Sequence, residues 1–211
     1  MRTPDWFREE HEEKEIERLA TSIGYKSALA TVDDLTQGVR DGWDERRIQN
    51  YLLYFPHILL GRHRTGHGTY AFGEMQLGNQ HRLDWAIANG NSGGMDWELI
   101  ELETPLALPF KRDGDLSEAA RKGVKQIRDW RTWIGSNIDY ARRPKTAGGL
   151  GFYDIGPRCR GVVVVGRRSE YNQAPGRAEY DPIRRTIREE SLIEIVSYET
   201  FLESLRFRFT R

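Results

Sequence analysis

Four consecutive valines between two glycines, at residues 161–166, limit most strongly what this chain can fold into. Apolar side chains at successive positions make both faces of a strand apolar, so this strand must be covered on both sides. Helical periodicity from the N-cap residue Asp44 to Phe55 supplies one cover, and a second helix is predicted from about Leu116 to Ile134. Helices packed around a buried central strand are typical of an α/β sandwich.

The remaining pattern adds two strands and two short helices. Residues 71–77 and 192–196 have the apolar content of strands. The pair Asp181–Pro182 has the residue types preferred at the N-cap and at the first helical position, so it predicts the start of a helix. Ser197 predicts the N-cap of a closing helix.

The first 40 residues differ from the rest of the chain. Residues 5–20 predict an acidic helix with few apolar positions, which is typical of a helix that is solvated or packed on a partner. Residues 21–43 are weakly patterned and indicate a linker. We therefore predict an acidic N-terminal helix and linker over residues 1–40, followed by an α/β domain over residues 41–211.

Three features of the sequence bear on location. No apolar run approaches the roughly 20 residues that a membrane-spanning helix needs. The first ten residues lack the basic and apolar regions of a secretory signal. Cys159 is the single cysteine, which rules out a disulfide framework. These features predict a cytoplasmic protein without a membrane partner.

The formal net charge is zero, but the charges are unevenly distributed. Residues 1–103 carry 11 basic and 18 acidic side chains, a balance of −7, whereas residues 104–211 carry 21 and 14, a balance of +7. The basic residues are mostly arginine, whose planar guanidinium binds phosphate well. Either the basic half faces nucleic acid, or the arginine content reflects a GC-rich genome, and charge alone does not decide between them.

A predicted β-hairpin places acidic residues where apolar ones are expected. The strand-like runs at residues 82–89 and 97–103 flank a glycine-rich turn. Residues two apart in a strand share a face, so Glu101 and Glu103 lie on the face of the large apolar Trp97. Burying ionised carboxylates on a covered face costs several kcal/mol, so we expect a compensating partner.

Antiparallel pairing brings a third acid to the same end of the hairpin, because Asp84 lies near Glu101 in that arrangement. Mg²⁺ prefers oxygen ligands and is usually held by one or two protein carboxylates together with waters. Such an ion activates water and neutralises charge on a phosphodiester. Two interpretations remain: a site for Mg²⁺ or Mn²⁺, or ion pairs between these carboxylates and arginines at a sheet edge.

Several sequence blocks, in this order, resemble the Shedu antiphage-defence nuclease family of the PD-(D/E)XK nuclease superfamily. The blocks cover roughly residues 44–205: IQNYLLYFPHILL, HRLDWAIA with WELIELETP, AARKGVKQIRDWRTWI, RGVVVVGRR and LIEIVSYETFLE. The resemblance implies a PD-(D/E)XK restriction-endonuclease-like core, with a mixed central sheet flanked by helices and an N-terminal helical extension. It also implies a Mg²⁺-dependent endonuclease that hydrolyses DNA phosphodiester bonds.

The resemblance implies roles for five residues. Asp84 and Glu101 match the two metal-binding acids, and Glu103 occupies the place where the family normally has lysine. Gln126 matches a glutamine on the helix beside the active site. Glu45 matches an acidic position that often joins the metal site.

Glu103 is the main departure from the family pattern, because the usual lysine orients the attacking water and stabilises charge. Glu103 either acts as general base or metal ligand, as in E-x-E restriction endonucleases, or another lysine supplies the charge. Three lysines are candidates: Lys111, Lys122 and Lys125. Lys122 is preferred because it shares a helix face with Gln126, although it could simply pair with Glu118.

The predicted function is therefore metal-dependent cleavage of DNA by a homo-oligomer, with the acidic N-terminal helix as an interface or regulatory element. Contacts to DNA are expected to be mainly with the phosphate backbone, since no base-reading motif is visible. One alternative is a catalytically silent nuclease-fold module that binds nucleic acid or regulates. Another is a carboxylate-pair hydrolase acting on sugars, which needs the acids ~5–9.5 Å apart and keeps its activity in EDTA.

Overall fold

A five-stranded mixed sheet lies at the centre of the computed structural model, which describes residues 3–62, 67–173 and 176–210. Its strands are β1 (Thr69–Leu77), β2 (His81–Asn91), β3 (Gly94–Leu102), β4 (Arg160–Val164) and β5 (Ile193–Val196). They follow one another across the sheet in sequence order. β1, β2 and β3 are antiparallel neighbours, whereas β4 runs parallel to both β3 and β5. The predicted hairpin and the predicted mixed α/β arrangement are confirmed.

Helices cover both faces of this sheet. The α-helices are α1 (Asp5–Glu10), α2 (Ile16–Ile23), α3 (Tyr25–Arg40), α4 (Glu45–Tyr54), α5 (Glu118–Ser136), α6 (Ile138–Arg142), α7 (Arg168–Gln173), α8 (Arg177–Ser191) and α9 (Tyr198–Arg206). Buried residues of α1, α5, α6 and α8 form one hydrophobic cluster with the sheet, and those of α2, α3, α4 and α9 form the other. None of the described helices is both long and apolar enough to cross a bilayer.

The valine-rich strand β4 is covered on both sides, as its sequence predicts. Val163 belongs to the cluster that contains α5, whereas Val162 and Val164 belong to the cluster that contains α9. All three are at most 1% exposed. β4 therefore fixes the position of the two helical layers relative to each other.

The region predicted as a linker, residues 21–43, instead holds the 16-residue helix α3. Its apolar residues Ala28, Val32, Leu35 and Val39 recur at helical spacing, and all are buried in the cluster in which α3 packs against α9. The linker prediction is wrong because the intervening polar residues dilute the pattern along the sequence. In the fold those polar residues lie on the opposite side of the helix.

The acidic helix predicted over residues 5–20 is interrupted. α1 is followed by a 3₁₀ helix over Glu12–Lys14, and α2 begins after it. The break turns His11 inward, where it is buried between the rings of Phe7 and Phe72, with centroid distances of 4.7 and 4.9 Å. The N-terminal segment thus contributes to both hydrophobic clusters, and its treatment as a separate unit stays a prediction.

α8 begins earlier than predicted. It starts at Arg177, so Pro182 lies inside the helix and not at its first position. The added turn carries Tyr180, which is buried and stacks on Phe110 with ring centroids 4.3 Å apart. Phe110 is distant in the sequence, so the local capping signal at Asp181–Pro182 could not predict this aromatic contact.

We expect His11 to make the fold sensitive to acid. Burial lowers the pKa of His11, whose Nε2 lies 3.0 Å from the carbonyl oxygen of Gly151. As the pH falls through the ordinary histidine value of about 6.5, the unfolded chain takes up a proton before the folded chain does, so stability falls. The melting temperature should therefore drop more between about pH 7.5 and about pH 5 in the wild type than in His11→Gln.

A second buried histidine must be considered in this comparison. Burial also lowers the pKa of His57, so part of the acid loss should remain in His11→Gln. The control is His81→Gln, which changes a partly exposed histidine at the start of β2. An unchanged profile in His11→Gln would assign the acid sensitivity to other groups.

Candidate active site

Asp84 and Glu101 meet across the β2–β3 hairpin. The register pairs Trp85 with Ile100, so Asp84 stands opposite Glu101 one step further along. Asp84 Oδ2 accepts a hydrogen bond of 2.9 Å from the backbone N–H of Leu102, and the Asp84 carboxylate lies close enough to Glu101 for its negative charge to raise the pKa of Glu101. The hairpin thus brings together the two acids that the sequence pairs.

The Glu101 carboxyl group is deeply buried, with 2% of the residue exposed. Its Oε2 makes no hydrogen bond to any described residue. Burial, followed by the negative charges of Asp84 and Glu103, raises the pKa of Glu101 to about 10. Burial also raises the pKa of Asp84. The pair therefore favours a proton or a cation in its immediate surroundings.

Glu103 lies directly after β3 and is paired with a lysine from the neighbouring helix α5. Lys122 Nζ lies 3.0 Å from Glu103 Oε1 and donates a hydrogen bond of 3.1 Å to Oε2. α5 comes this close because Gly123 faces the sheet, where an added Cβ would lie 2.5 Å from Val163 Cγ1. In the described ranges no arginine lies within ion-pair distance of Asp84, Glu101 or Glu103.

Lys122 is the candidate lysine that reaches the carboxylates. Lys111 lies 3.6 Å from Asp115, and Lys125 lies 2.5 Å from Asp129, so both pair elsewhere. The alternative pairing of Lys122 with Glu118 does not occur among the described contacts. The position fits the predicted replacement for the family lysine, and its catalytic role stays a prediction.

Glu45 and Gln126 lie on the helices that flank the pair. Glu45 is the first residue of α4 and is half-buried; burial, then the charges of Glu103 and Asp84, raises its pKa. Gln126 is one turn beyond Lys122 on α5, and its Oε1 is buried. That oxygen makes no hydrogen bond within the described part of the chain, and no hydrogen bond joins Gln126 to one of the carboxylates there.

Comparison with protein families gives one match to this chain. The family model described as Shedu protein SduA, C-terminal, matches residues 42–202. The chain belongs to the Shedu family. A comparison with curated proteins gave no match. The Shedu match includes α4, the hairpin and α5, and therefore every residue of the candidate site, whereas α1, α2 and α3 precede it.

Two residues that the sequence did not single out fix the acids of this Shedu domain in place. Gln49, one turn after Glu45 on α4, accepts a hydrogen bond of 2.8 Å from the indole N–H of Trp85. Its amide also donates to the backbone oxygen of Asp84 at 3.4 Å. The Tyr198 hydroxyl donates to the backbone oxygen of Glu103 at 2.7 Å. The local sequence signal for Gln49 is that it is a polar residue on the apolar face of α4.

The Shedu site differs in one respect from the predicted meeting of three acids. Across residues 3–62, 67–173 and 176–210, no three His, Cys, Asp or Glu side chains form a ready metal-binding group. Glu103 is engaged by Lys122, which leaves Asp84 and Glu101 opposite each other across the hairpin. Proteins commonly hold Mg²⁺ with one or two carboxylates, and two are present here. The buried Glu101 Oε2 also lacks a hydrogen bond. The donor set therefore fits a hydrated divalent cation.

Proposed function

We propose that this Shedu-family chain is a metal-dependent DNA endonuclease that acts in antiphage defence. Family membership supports the defence role. The observation that carries the nuclease proposal is that a buried acid, Glu101, and a partly buried acid, Asp84, stand opposite each other at the end of the central strands. Burial and mutual repulsion make this pair unfavourable in its ionised form unless a cation or a proton is present.

Asp84 and Glu101 would hold Mg²⁺ or Mn²⁺, with Glu45 on the opposite helix adding negative charge to the site. When bound, the cation would lower the pKa of a coordinated water and neutralise charge on the scissile phosphate. The hydrogen bond from Leu102 N–H fixes one Asp84 oxygen, so the orientation of this carboxylate is set by the backbone. The backbone of the hairpin would likewise set where the Glu101 carboxylate lies relative to Asp84.

Beside this pair, Lys122 would stabilise negative charge and Glu103 would accept a proton. Glu103 holds the Lys122 ammonium group at 3.0 Å, where its positive charge would stabilise the negative charge that develops on the phosphate. Hydrolysis forms one bond from water oxygen to phosphorus, breaks one phosphorus–oxygen bond and transfers the water proton away. Glu103 would receive that proton, and Gln126 would position the water or the phosphate.

DNA would be bound mainly through its phosphates, because the arginine-rich half of the chain supplies backbone contacts and no base-reading motif. The resemblance to the Shedu family also supports assembly into a homo-oligomer. Light scattering of the full chain would measure the number of subunits directly.

Plasmid cleavage tests this proposal. We expect nicking or linearisation with Mg²⁺ or Mn²⁺, none in EDTA, and a loss of at least about 100-fold in Asp84→Asn. Activity on a glycoside that survives EDTA would instead support the sugar-hydrolase alternative. Absence of cleavage in the wild type, with DNA binding retained, would support a catalytically silent module. The specific observation that favours the silent module is Glu103 at the place of the family lysine.

We expect Gln49→Leu to weaken metal use without removing the carboxylates. The variant loses the contact that ties Asp84 to α4 and leaves the Trp85 indole N–H without its acceptor. The unsatisfied group should cost about 1–3 kcal/mol of stability, and the Mn²⁺ concentration for half-maximal cleavage should rise about 10–100-fold. Mn²⁺ titrations of the cleavage rate and thermal melts measure the two effects.

A glutamine elsewhere on the helical layers provides the control. Gln37 is exposed on α3 and hydrogen-bonds Asp41 at 2.8 Å, so Gln37→Leu should leave the Mn²⁺ requirement unchanged. If Gln49→Leu melts earlier but keeps the wild-type Mn²⁺ requirement, Gln49 only packs the helix on the sheet.

A further inference from the structure

A group of exposed arginines surrounds the amino ends of β4 and β5, away from the carboxyl pair. They come from three elements: the outer side of α5, the segment leading into β4, and α8. This arginine surface consists of Arg128, Arg158, Arg160, Arg185 and Arg188.

The five arginines line three cavities, of which two share lining residues. Arg128 and Arg158 line a cavity of about 300 Å³, and Arg158 and Arg160 line a second of about 400 Å³. The side chain of Leu192 borders both cavities. Arg185 and Arg188 line a third of about 250 Å³, beside the start of β5. The arginines therefore border two adjoining depressions and a third one beside α8.

In the described part of the chain none of the five arginines lies within ion-pair distance of a carboxylate, although acidic residues also line the three cavities: Asp96, Glu98, Asp154, Asp181, Glu190 and Glu194. Asp181 on α8 lies 3.5 Å from Arg184 and 3.8 Å from Arg177, and neither belongs to the surface. Glu190 and Glu194 border the cavities but make no ion pair with the five arginines. Because no described carboxylate pairs with these five guanidinium groups, they can bind an anionic ligand without first breaking an ion pair.

A buried arginine fixes the backbone segments that carry this surface. Arg131 is 9% exposed, and its guanidinium donates to the backbone oxygens of Cys159, Ser191 and Leu192, the last at 3.1 Å. These bonds tie the segment that carries Arg158 and Arg160 to the junction between α8 and β5. A fixed backbone lowers the entropy that ordering these arginines on a ligand would lose.

The arginine surface lies at the opposite end of the parallel strands from the carboxylates. β4 begins at Arg160 and ends at Val164, which pairs with Leu102 just before Glu103. At about 3.3 Å per residue, the two ends are about 13 Å apart along the strand. The surface is therefore distinct from the candidate active site.

We infer that the arginine surface binds successive phosphates of a nucleic-acid backbone as a second contact site, separate from the carboxyl pair. Planar guanidinium groups spaced over three depressions match a polymer with regularly spaced phosphates better than a single small anion. The inference deepens the proposed function by locating a backbone contact, but it concerns binding and does not require cleavage.

Binding of a short fluorescent duplex to the full chain tests the inference. The Glu101→Gln protein is used so that the duplex stays intact, and anisotropy is measured over a range of KCl concentrations. Adding Arg158→Gln, Arg160→Gln and Arg188→Gln should weaken binding at least about tenfold at low salt. It should also lower the slope of log affinity against log salt by about 3. DNA and RNA duplexes of the same sequence identify which backbone is bound.

The control removes the same charge from the acidic half of the chain. Arg8→Gln, Arg18→Gln and Arg40→Gln also change exposed arginines, and this triple variant should bind as the parent does. Equal losses in both triple variants, or no loss in the first, overturn the inference. If the first triple variant loses its fold by circular dichroism, each single substitution should still lower the slope by about 1. A wild type that binds through these arginines yet cleaves nothing refutes the nuclease proposal alone.

Discussion

Replacing Glu101 with glutamine is expected to abolish DNA cleavage and, in the absence of divalent cations, to stabilise the fold. Glutamine keeps the shape of the side chain but cannot hold a cation through a charged oxygen. If the bound metal supplies several kcal/mol of transition-state stabilisation, cleavage should fall by at least about 1000-fold. The fold should gain stability because the neutral amide avoids the burial and repulsion that raise the pKa of Glu101 to about 10.

The pH dependence of this stabilisation has a definite sign. A carboxyl group has a pKa of about 4.3 in an unfolded chain, far below the value for folded Glu101. Between the two values the folded chain binds more protons than the unfolded chain, so stability falls as the pH rises. In EDTA the melting temperature of the wild type should therefore decrease relative to that of Glu101→Gln between about pH 5 and about pH 9.

Divalent cations should reverse this order. A cation that binds the ionised pair stabilises only the folded wild type, so Mn²⁺ should raise its melting temperature and leave that of Glu101→Gln unchanged. Asp96→Asn is the matched control, because Asp96 is an exposed acid on the same strand β3. A Glu101→Gln protein that still cleaves, or that Mn²⁺ stabilises as it does the wild type, would contradict the assignment of Glu101 as a metal ligand.

The meeting of Asp84 and Glu101 was predictable because it follows from local rules. Alternation along a strand places Glu101 on the face of Trp97, and a short turn fixes which residues of the hairpin lie opposite one another. The N-caps Asp44 and Ser197 were found for the same reason, since each cap accepts a hydrogen bond from the N–H three residues later.

What the sequence did not predict depends on distant contacts. α3 packs against α9, which lies more than 150 residues later in the chain. The weak apolar periodicity of α3 is therefore explained only by this distant contact. Gln49 was missed because its partners Trp85 and Asp84 belong to another element. The pairing of Lys122 with Glu103 likewise depends on the close approach of α5 to the sheet.

Replacing Lys122 with methionine is the second change with a large expected effect. Methionine keeps most of the length of the side chain but removes the charge that lies 3.0 Å from Glu103 Oε1. Loss of a positioned cation near a developing phosphate charge should lower the cleavage rate about 100–1000-fold. Lys125→Met, on the same helix and paired with Asp129, is the matched control and should cleave as the wild type does.

Exchanging the two charges distinguishes a displaced lysine from a merely structural ion pair. In the double variant Glu103→Lys and Lys122→Glu, the ammonium group returns to the position that the family pattern gives to lysine, and the ion pair is kept in reverse. Its carboxyl neighbours Asp84 and Glu101 would favour a positive charge there. We expect this variant to cleave at least about tenfold faster than Lys122→Met at matched Mn²⁺. If Lys122→Met instead cleaves as fast as the wild type, no lysine charge is needed. Glu103 would then be the group that acts on the water.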